Sequence, residues 1–301
     1  MGSWCVVSTI KAPEDKILAF AAHHLAMGAD HLWLYFDDPD QPVPKALADH
    51  PRVTVTLCDD AHWKLLHKRP PTHQNRQARN ARHTYPQIGS DWLVHIDVDE
   101  FIHVPRPLDQ ILDEVPPDTI AVKMEPFEAM HDPMLPDDIF TAREFRGALR
   151  HEHWPRRRKV LGDYRKVIRD GMLSHTVGKV ICRAGIPRLF PRLHAVMVDG
   201  VFVPTPDWHP ELKLLHFHAQ DRKAWLKVLP FRLTKGAYQF RPELQDFLTN
   251  ATPEAIDHFY RRTQIMSLEV SAELAAVGRV IIADLGLRQK VKALCDGSLG
   301  R

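Results

Sequence analysis

Three carboxylates in four residues follow an apolar run in the segment Trp92-Leu93-Val94-His95-Ile96-Asp97-Val98-Asp99-Glu100-Phe101. Such groups repel one another and are costly to take out of water without a counter-ion. Asp97 and Asp99 are two residues apart, so an extended backbone sets them on one face, and a turn also converges them. A hard divalent cation such as Mg²⁺ or Mn²⁺ takes one or two carboxylates and fills its other positions with phosphate oxygens and water. The spacing therefore suits an ion that screens a diphosphate and stabilises it as charge develops on it. The plainer reading is a solvated acidic turn in which Asp97 caps a helix. What favours the metal is the place of the cluster, at the end of a strand of buried character.

Other chemistry-bearing residues are less decisive. Glu125, Glu128 and Asp132 follow an apolar stretch, Ile120 to Met124. They are candidates for a general-base carboxylate, with Asp132 and Glu125 preferred and not separable. Each could equally be a loop carboxylate. In Gln74 to Arg82, helical spacing brings Arg76, Arg79 and Asn80 onto neighbouring turns, where most charges are expected simply to be solvated. Residues 150–169 form the most basic stretch, with Trp154 and Tyr164 interleaved. A solvated loop is one reading, and a site for an anionic or lipid-linked acceptor, a membrane surface or nucleic acid is another.

Alternating elements must position these groups. Trp4–Ile10 is a β-branched run suited to a buried strand. Glu14 to Met27 has the apolar spacing of a helix, stopped by Gly28. His31–Phe36 and Val53–Leu57 read as strands, Gln74 to Tyr85 as a helix, and Trp92 to Ile96 as a fourth strand. Strand–helix alternation implies an α/β fold, a mostly parallel sheet covered on both faces. Ligands bind at the carboxyl ends of such strands, where Asp37 and Asp97 both fall. Further on, Gly178 to Arg183 resembles a short strand, Arg222 to Leu229 a helix, and Pro253 to Val277 and Arg279 to Leu294 two helices separated near Gly278. The expected organisation is a domain over 1–230 and a C-terminal helical extension over 231–301. The apolar positions of that extension suit core packing or a self-association face, so a homo-oligomer is one expectation.

The 301 residues are 44% hydrophobic and 26% charged, with a net charge of +2, which excludes a globally basic nucleic-acid binder. Its four cysteines, Cys5, Cys58, Cys182 and Cys295, lie far apart, against a disulfide framework or thiolate zinc site and in keeping with a reducing compartment. With no basic-then-apolar leader and no run of roughly 18 apolar residues, the expectation is a cytoplasmic protein, with peripheral contact at the inner face of a membrane left open.

The chain resembles family 2-type glycosyltransferases of the GT-A fold, in a bacterial branch similar to family 92. The resemblance is carried by Thr9-Ile10-Lys11-Ala12-Pro13-Glu14, by His23 to Asp37, by Ile96-Asp97-Val98-Asp99-Glu100-Phe101, by Gly178-Lys179-Val180-Ile181, and by Leu215-His216-Phe217 with Lys227 after it. The chain departs from the branch at Lys11-Ala12-Pro13-Glu14, where an Asn-Glu pair is usual, and at Phe217, where Tyr is common. The resemblance implies a GT-A, Rossmann-like sheet and transfer of a hexose from a nucleotide sugar, UDP-linked, to a glycan or related acceptor with inversion. It implies that Thr9, Lys11 and Asp37 meet the donor's base and ribose. Asp97 and Asp99 would hold Mn²⁺ or Mg²⁺ and the diphosphate, and His216 would be a further metal ligand. Arg79, Asn80, Lys179 and Lys227 would face the donor. The alternatives are a metal-dependent nucleotidyltransferase or phosphoesterase, and a non-catalytic nucleic-acid-binding protein using residues 150–169. No P-loop or dinucleotide fingerprint is present.

Overall fold

A computed structural model describes residues 2–204 and 207–299. They form two compact units interleaved along the chain: unit 1 holds 2–125, 177–204, 207–214 and 286–299, and unit 2 holds 126–176 and 215–285. The chain begins in unit 1 with β1 (Trp4–Ile10), α1 (Glu14–Ala26), β2 (His31–Phe36), α2 (Lys45–Ala48), β3 (Val53–Leu57), α3 (Asp60–Leu65), α4 (His73–Thr84), β4 (Trp92–His95), β5 (Glu100–His103), α5 (Leu108–Asp113) and the first half of β6 (Ala121–Ala129). Unit 2 then takes β7 (Glu144–Gly147) and α6 (Trp154–Leu161), and unit 1 resumes with β8 (Lys179–Arg183), β9 (Leu189–Pro191), β10 (Val196–Val198), β11 (Val201–Phe202) and most of β12 (Trp208–His216). Unit 2 continues with α7 (Arg222–Thr234), α8 (Pro242–Asn250), α9 (Pro253–Gln264), α10 (Leu268–Ala275) and β13 (Val280–Ile282), and α11 (Leu287–Cys295) returns to unit 1. Residue 230, near the expected boundary, lies inside α7.

In unit 1, β4, β1, β2 and β3 are parallel in that order, and β8 joins β4 antiparallel with β6 beyond it. β1 is buried along its whole length, as expected of a strand paired on both sides with helices over its faces. The mostly parallel α/β sheet expected from the strand–helix alternation is thus present. α1 stops where the chain reaches Gly28, which takes φ +94°, a conformation that costs other residues dearly. The side chains of Val7, Tyr35, Trp63, Tyr85 and Leu93 share one apolar core.

In unit 2, the second half of β6 pairs with β7, and β7 with β13, both antiparallel. A core of Ile168, Trp225, Tyr238, Leu248, Phe259 and Tyr260 lies beneath α7, α8 and α9. The C-terminal helices are present, with two differences from expectation. The first expected helix is broken between α9 and α10, where Ser267 accepts from the Val270 N–H and caps a new helix. The second begins late, because Val280-Ile281-Ile282, a β-branched run, forms a strand against Phe145 of β7.

Candidate functional site

The acidic turn sits where β4 ends. Val7 and His95 are register partners in β1 and β4, and the Ile96 N–H still donates to the Val7 carbonyl at 3.3 Å. The chain then reverses through Asp97, Val98 and Asp99 into β5. Two bonds close that turn: the Glu100 N–H donates to the Asp97 carbonyl at 3.0 Å, and the Asp97 N–H donates to Glu100 Oε2 at 2.8 Å. Glu100 is fully buried, whereas Asp97 and Asp99 are half-buried.

Lys179, at the start of β8, supplies the counter-charge. β8 runs antiparallel to β4 with Val94 opposite Ile181, which brings the residue two earlier alongside the acidic turn. The Lys179 ammonium, wholly buried, lies 2.5 Å from Asp97 Oδ2 and 3.2 Å from Glu100 Oε2. Burial pulls the lysine's pKa down, but the two carboxylates outweigh it and the net shift is upward. Burial likewise pushes Asp97 up, but the Lys179 charge and hydrogen bond, with His73 and His95 nearby, take it well below the usual carboxylate range. Gln77 of α4 donates to the other oxygen of Asp97. His95, buried beside this charge, is pushed down to about 4, first by burial and then by Lys179. Gly178 makes the approach of Lys179 feasible: at φ +73°, a Cβ there would lie 2.2 Å from the Met124 carbonyl oxygen and 2.6 Å from the Trp208 ring.

A second carboxylate is built at the end of β2. Asp37 is almost completely buried. It is clasped bidentately by Arg76 of α4, Nε to Oδ1 and Nη2 to Oδ2, both 2.7 Å, the strongest form of charge-assisted pairing. Arg69 Nη2 donates to the Asp37 carbonyl at 3.1 Å, and His73 Nδ1 is 3.8 Å from its carboxylate. Burial pushes Asp37 up, but the hydrogen bonds from His73 and Arg76 outweigh it, and the carboxyl stays well below its ordinary value. Arg69 and His73 keep much of their side chains in solvent. Asp37 and Asp97 thus terminate strands on either side of β1, and α4 serves both through Arg76 and Gln77.

No family model and no curated protein matches the sequence. Among solved structures the chain is similar to TarS residues 1–349 of S. aureus, at 12% identity over 98% of this chain and 92% of that one, with a TM-score of 0.34. It is also similar to a CMP:2-keto-3-deoxy-manno-octonic acid synthetase complexed with CTP, at 13% identity over 99% of this chain and all of that one (100%), with a TM-score of 0.25.

The structure pairs Lys179 with Asp97 and sets Asp37 and Asp97 just past the ends of β2 and β4, and turns other expected site residues to different work. Thr9 is buried, its hydroxyl accepting from Asn80 Nδ2 at 2.9 Å, and Asn80 Oδ1 is 3.0 Å from His62 Nε2. These two therefore satisfy each other inside unit 1. Arg79 donates to the Leu66 carbonyl at 2.7 Å, and Lys11 is exposed and paired with Asp38 at 3.1 Å. Glu125 is paired with Lys213 at 2.6 Å. In unit 2, Asp132 accepts from the Met134 N–H at 2.8 Å, the bond of an Asx turn. Glu128 is sealed in the core, 3.2 Å from Arg146 and accepting from the Leu173 and Ser174 N–H groups. Lys227 is exposed on α7. His216 is buried with its ring centre 5.2 Å from those of both His175 and His218, and the ring nitrogens of His175 and His216 lie within 4.8 Å of one another. Among the basic residues of 150–169, Arg156 and Lys159 both bind Glu273, and Arg157 turns inward to the Ile168 carbonyl.

Gln77, His73 and Arg69 were not singled out from sequence. A signal existed for two of them. His73, Gln77, Asn80 and Thr84 recur at helical spacing, and the helix buries Gln77, Asn80 and Thr84. A helix that turns amides and a hydroxyl inward has polar work to do on that face.

Proposed function

We propose that unit 1 binds a nucleoside diphosphate sugar through a divalent cation at Asp97 and Asp99, and that the protein is a glycosyltransferase moving a hexose, from a UDP-linked donor, to a glycan or related acceptor with inversion. The observation that supports this most is the pair of ionised carboxylate clusters at the carboxyl ends of β2 and β4, both reached from α4, with Lys179 compensating one charge of the acidic turn. An α/β sheet binds ligands at such strand ends.

The residues fit a hard cation. The turn offers oxygen donors only, and each Asp97 oxygen, though it accepts one hydrogen bond, keeps further acceptor capacity. When bound, Mn²⁺ or Mg²⁺ supplies positive charge to the diphosphate as it leaves. The chain's own groups do the rest. Lys179 keeps Asp97 ionised and aimed, and Glu100 holds the turn closed from beneath. Arg76 fixes Asp37 at the position proposed for the base and ribose, with Lys11 at the rim. Glu125 is the carboxylate we favour as proton acceptor for the incoming hydroxyl, with the Lys213 ammonium 2.6 Å away. In unit 2, His175 and His216 offer two imidazole donors, a pair that suits Mn²⁺ better than Mg²⁺.

Thermal unfolding against UDP, GDP, ADP and CDP, each with Mn²⁺ or with EDTA, tests the proposal. A ligand at about 100 times its Kd stabilises by roughly 2.7 kcal/mol, so a Mn²⁺-dependent rise in Tm with one diphosphate is expected. A rise with nucleoside triphosphates alone would favour nucleotidyl transfer. No rise with any nucleotide would leave the acidic cluster as a structural turn.

A further inference from the structure

The outer face of α7 in unit 2 combines lysines with exposed apolar groups. Its inner face is ordinary: Trp225 and Leu229 are buried in the core with Tyr238, Phe259 and Tyr260. At 100° per residue the opposite side carries Lys223, Lys227, Pro230, Phe231 and Thr234, with Val228 on the flank and Lys235 just past the helix end, all exposed. Two of these are large apolar groups turned to solvent, Val228 at 38% and Phe231 at 56% of full exposure, and Phe240, six residues past the helix end, reaches 74%. Single exposed hydrophobes are ordinary on a protein surface; here they stand among lysines.

Charge decides the occupant. Between Arg222 and Lys235 the sequence carries no acid, only the cations Arg222, Lys223, Lys227, Arg232 and Lys235. Arg222 and Arg232 are engaged within unit 2, on Asp257 and the His218 carbonyl. Among the described residues, no carboxylate pairs with Lys223, Lys227 or Lys235. A second copy of this chain would set like charges against each other, and a neutral apolar partner would leave three ammonium groups to desolvate. An anionic bilayer meets both demands, because lysines lie at the headgroup phosphates while aromatic rings enter the interface between them. The helix is 13 residues long and no described helix is long and apolar enough to cross a membrane, so the contact is parallel to the surface. We infer that the Lys223–Lys227–Phe231 face of α7, with Lys235 and Phe240 beyond its end, docks the protein peripherally on anionic phospholipid, independently of the transfer reaction proposed above.

Co-sedimentation of the full chain with phosphatidylcholine vesicles, and with vesicles containing about 30% phosphatidylglycerol to supply an anionic surface, tests this. Binding to the anionic vesicles and not to the neutral ones is expected, weakening as salt rises. Each lysine at the surface contributes about five-fold, so K223E/K227E/K235E is expected to lower partitioning at least 100-fold. F231S/F240S, both exposed and therefore tolerated by the fold, is expected to lower it while leaving the salt dependence. Circular dichroism melts confirm that both variants are folded. Failure of the wild-type protein to bind anionic vesicles, or binding unchanged in the folded variants, overturns the inference. So does a concentration-dependent dimer in analytical ultracentrifugation that F231S abolishes, since the face would then be a self-association surface.

Discussion

Two buried acid–base networks, one in each unit, follow opposite designs. In unit 2, Glu128 and Arg146 are both sealed from solvent, and every strong partner is a fixed one: the Leu173 and Ser174 N–H groups for the carboxylate, the Thr263 carbonyl for the guanidinium. Of the Arg146 and Glu128 side-chain atoms, only the buried Arg146 Nε–H is left without an acceptor among the described residues. In unit 1, the wholly buried Lys179 faces a buried Glu100 and a half-buried Asp97, with Asp99 also half-buried beside them. One ammonium against three carboxylates is a network that a divalent cation can join. The sequence hardly separates the two, since both begin as carboxylates just after an apolar run. The number of cations the fold delivers to each is what separates them.

The comparison can be broken at either end. Arg146→Ala leaves Glu128 charged in a dry core, and removal of one partner of such a pair costs about 3–5 kcal/mol; urea unfolding should show the largest loss of any single change here. Lys179→Met is expected to cost about 3 kcal/mol by the same argument. It should differ in one respect: Mn²⁺ at millimolar concentration recovers part of the Lys179→Met loss and none of the Arg146→Ala loss. Equal rescue, or none for either, would erase the distinction between the networks.

Asp37→Asn removes charge-assisted hydrogen bonds from Arg76 and Arg69 and is expected to cost about 2 kcal/mol at neutral pH. The pH dependence sharpens this. Asp37 and Asp97 have folded-state pKa values below the unfolded value of about 3.9. Their contribution is therefore fully present above about pH 4 and is lost as pH falls through the lower folded values. Lys179 is shifted the other way, so its contribution is present below about 10.4 and disappears as pH rises through its raised folded value. His95, held near 4, also binds its proton less readily in the fold, and erodes stability as pH falls from about 6.5 toward 4. Asp37→Asn should flatten the acid limb of a stability–pH curve and leave the alkaline limb alone, whereas Lys179→Met should flatten both.

Much of this frame was legible in the chain. The strands β2 and β3 match their expected limits because β-branched and aromatic residues fill short runs between turn signals. Asp97 stood out because an apolar strand ran straight into acids. Partnership was not legible. Lys179 meets Asp97 only because β8 returns antiparallel to β4, and Arg76 meets Asp37 across 39 positions. Neither follows from spacing. Thr9 and Asn80 carry the right chemistry for a ligand, yet the fold spends each on the other. Val280–Ile282 has an apolar spacing compatible with a helix, and pairing with β7 overrides it.

The smallest structural effect belongs to Asp99→Ala. Asp99 sits in the turn and is half-buried, so its loss should cost about 1 kcal/mol, less than either buried pair above. It is also the most direct probe of the central claim. Calorimetric titration of UDP into the wild-type protein and into Asp99→Ala, with Mn²⁺ present, is the deciding measurement. The account predicts Mn²⁺-dependent binding by the wild type and its loss in a variant that melts normally; UDP affinity equal in the two proteins would contradict it.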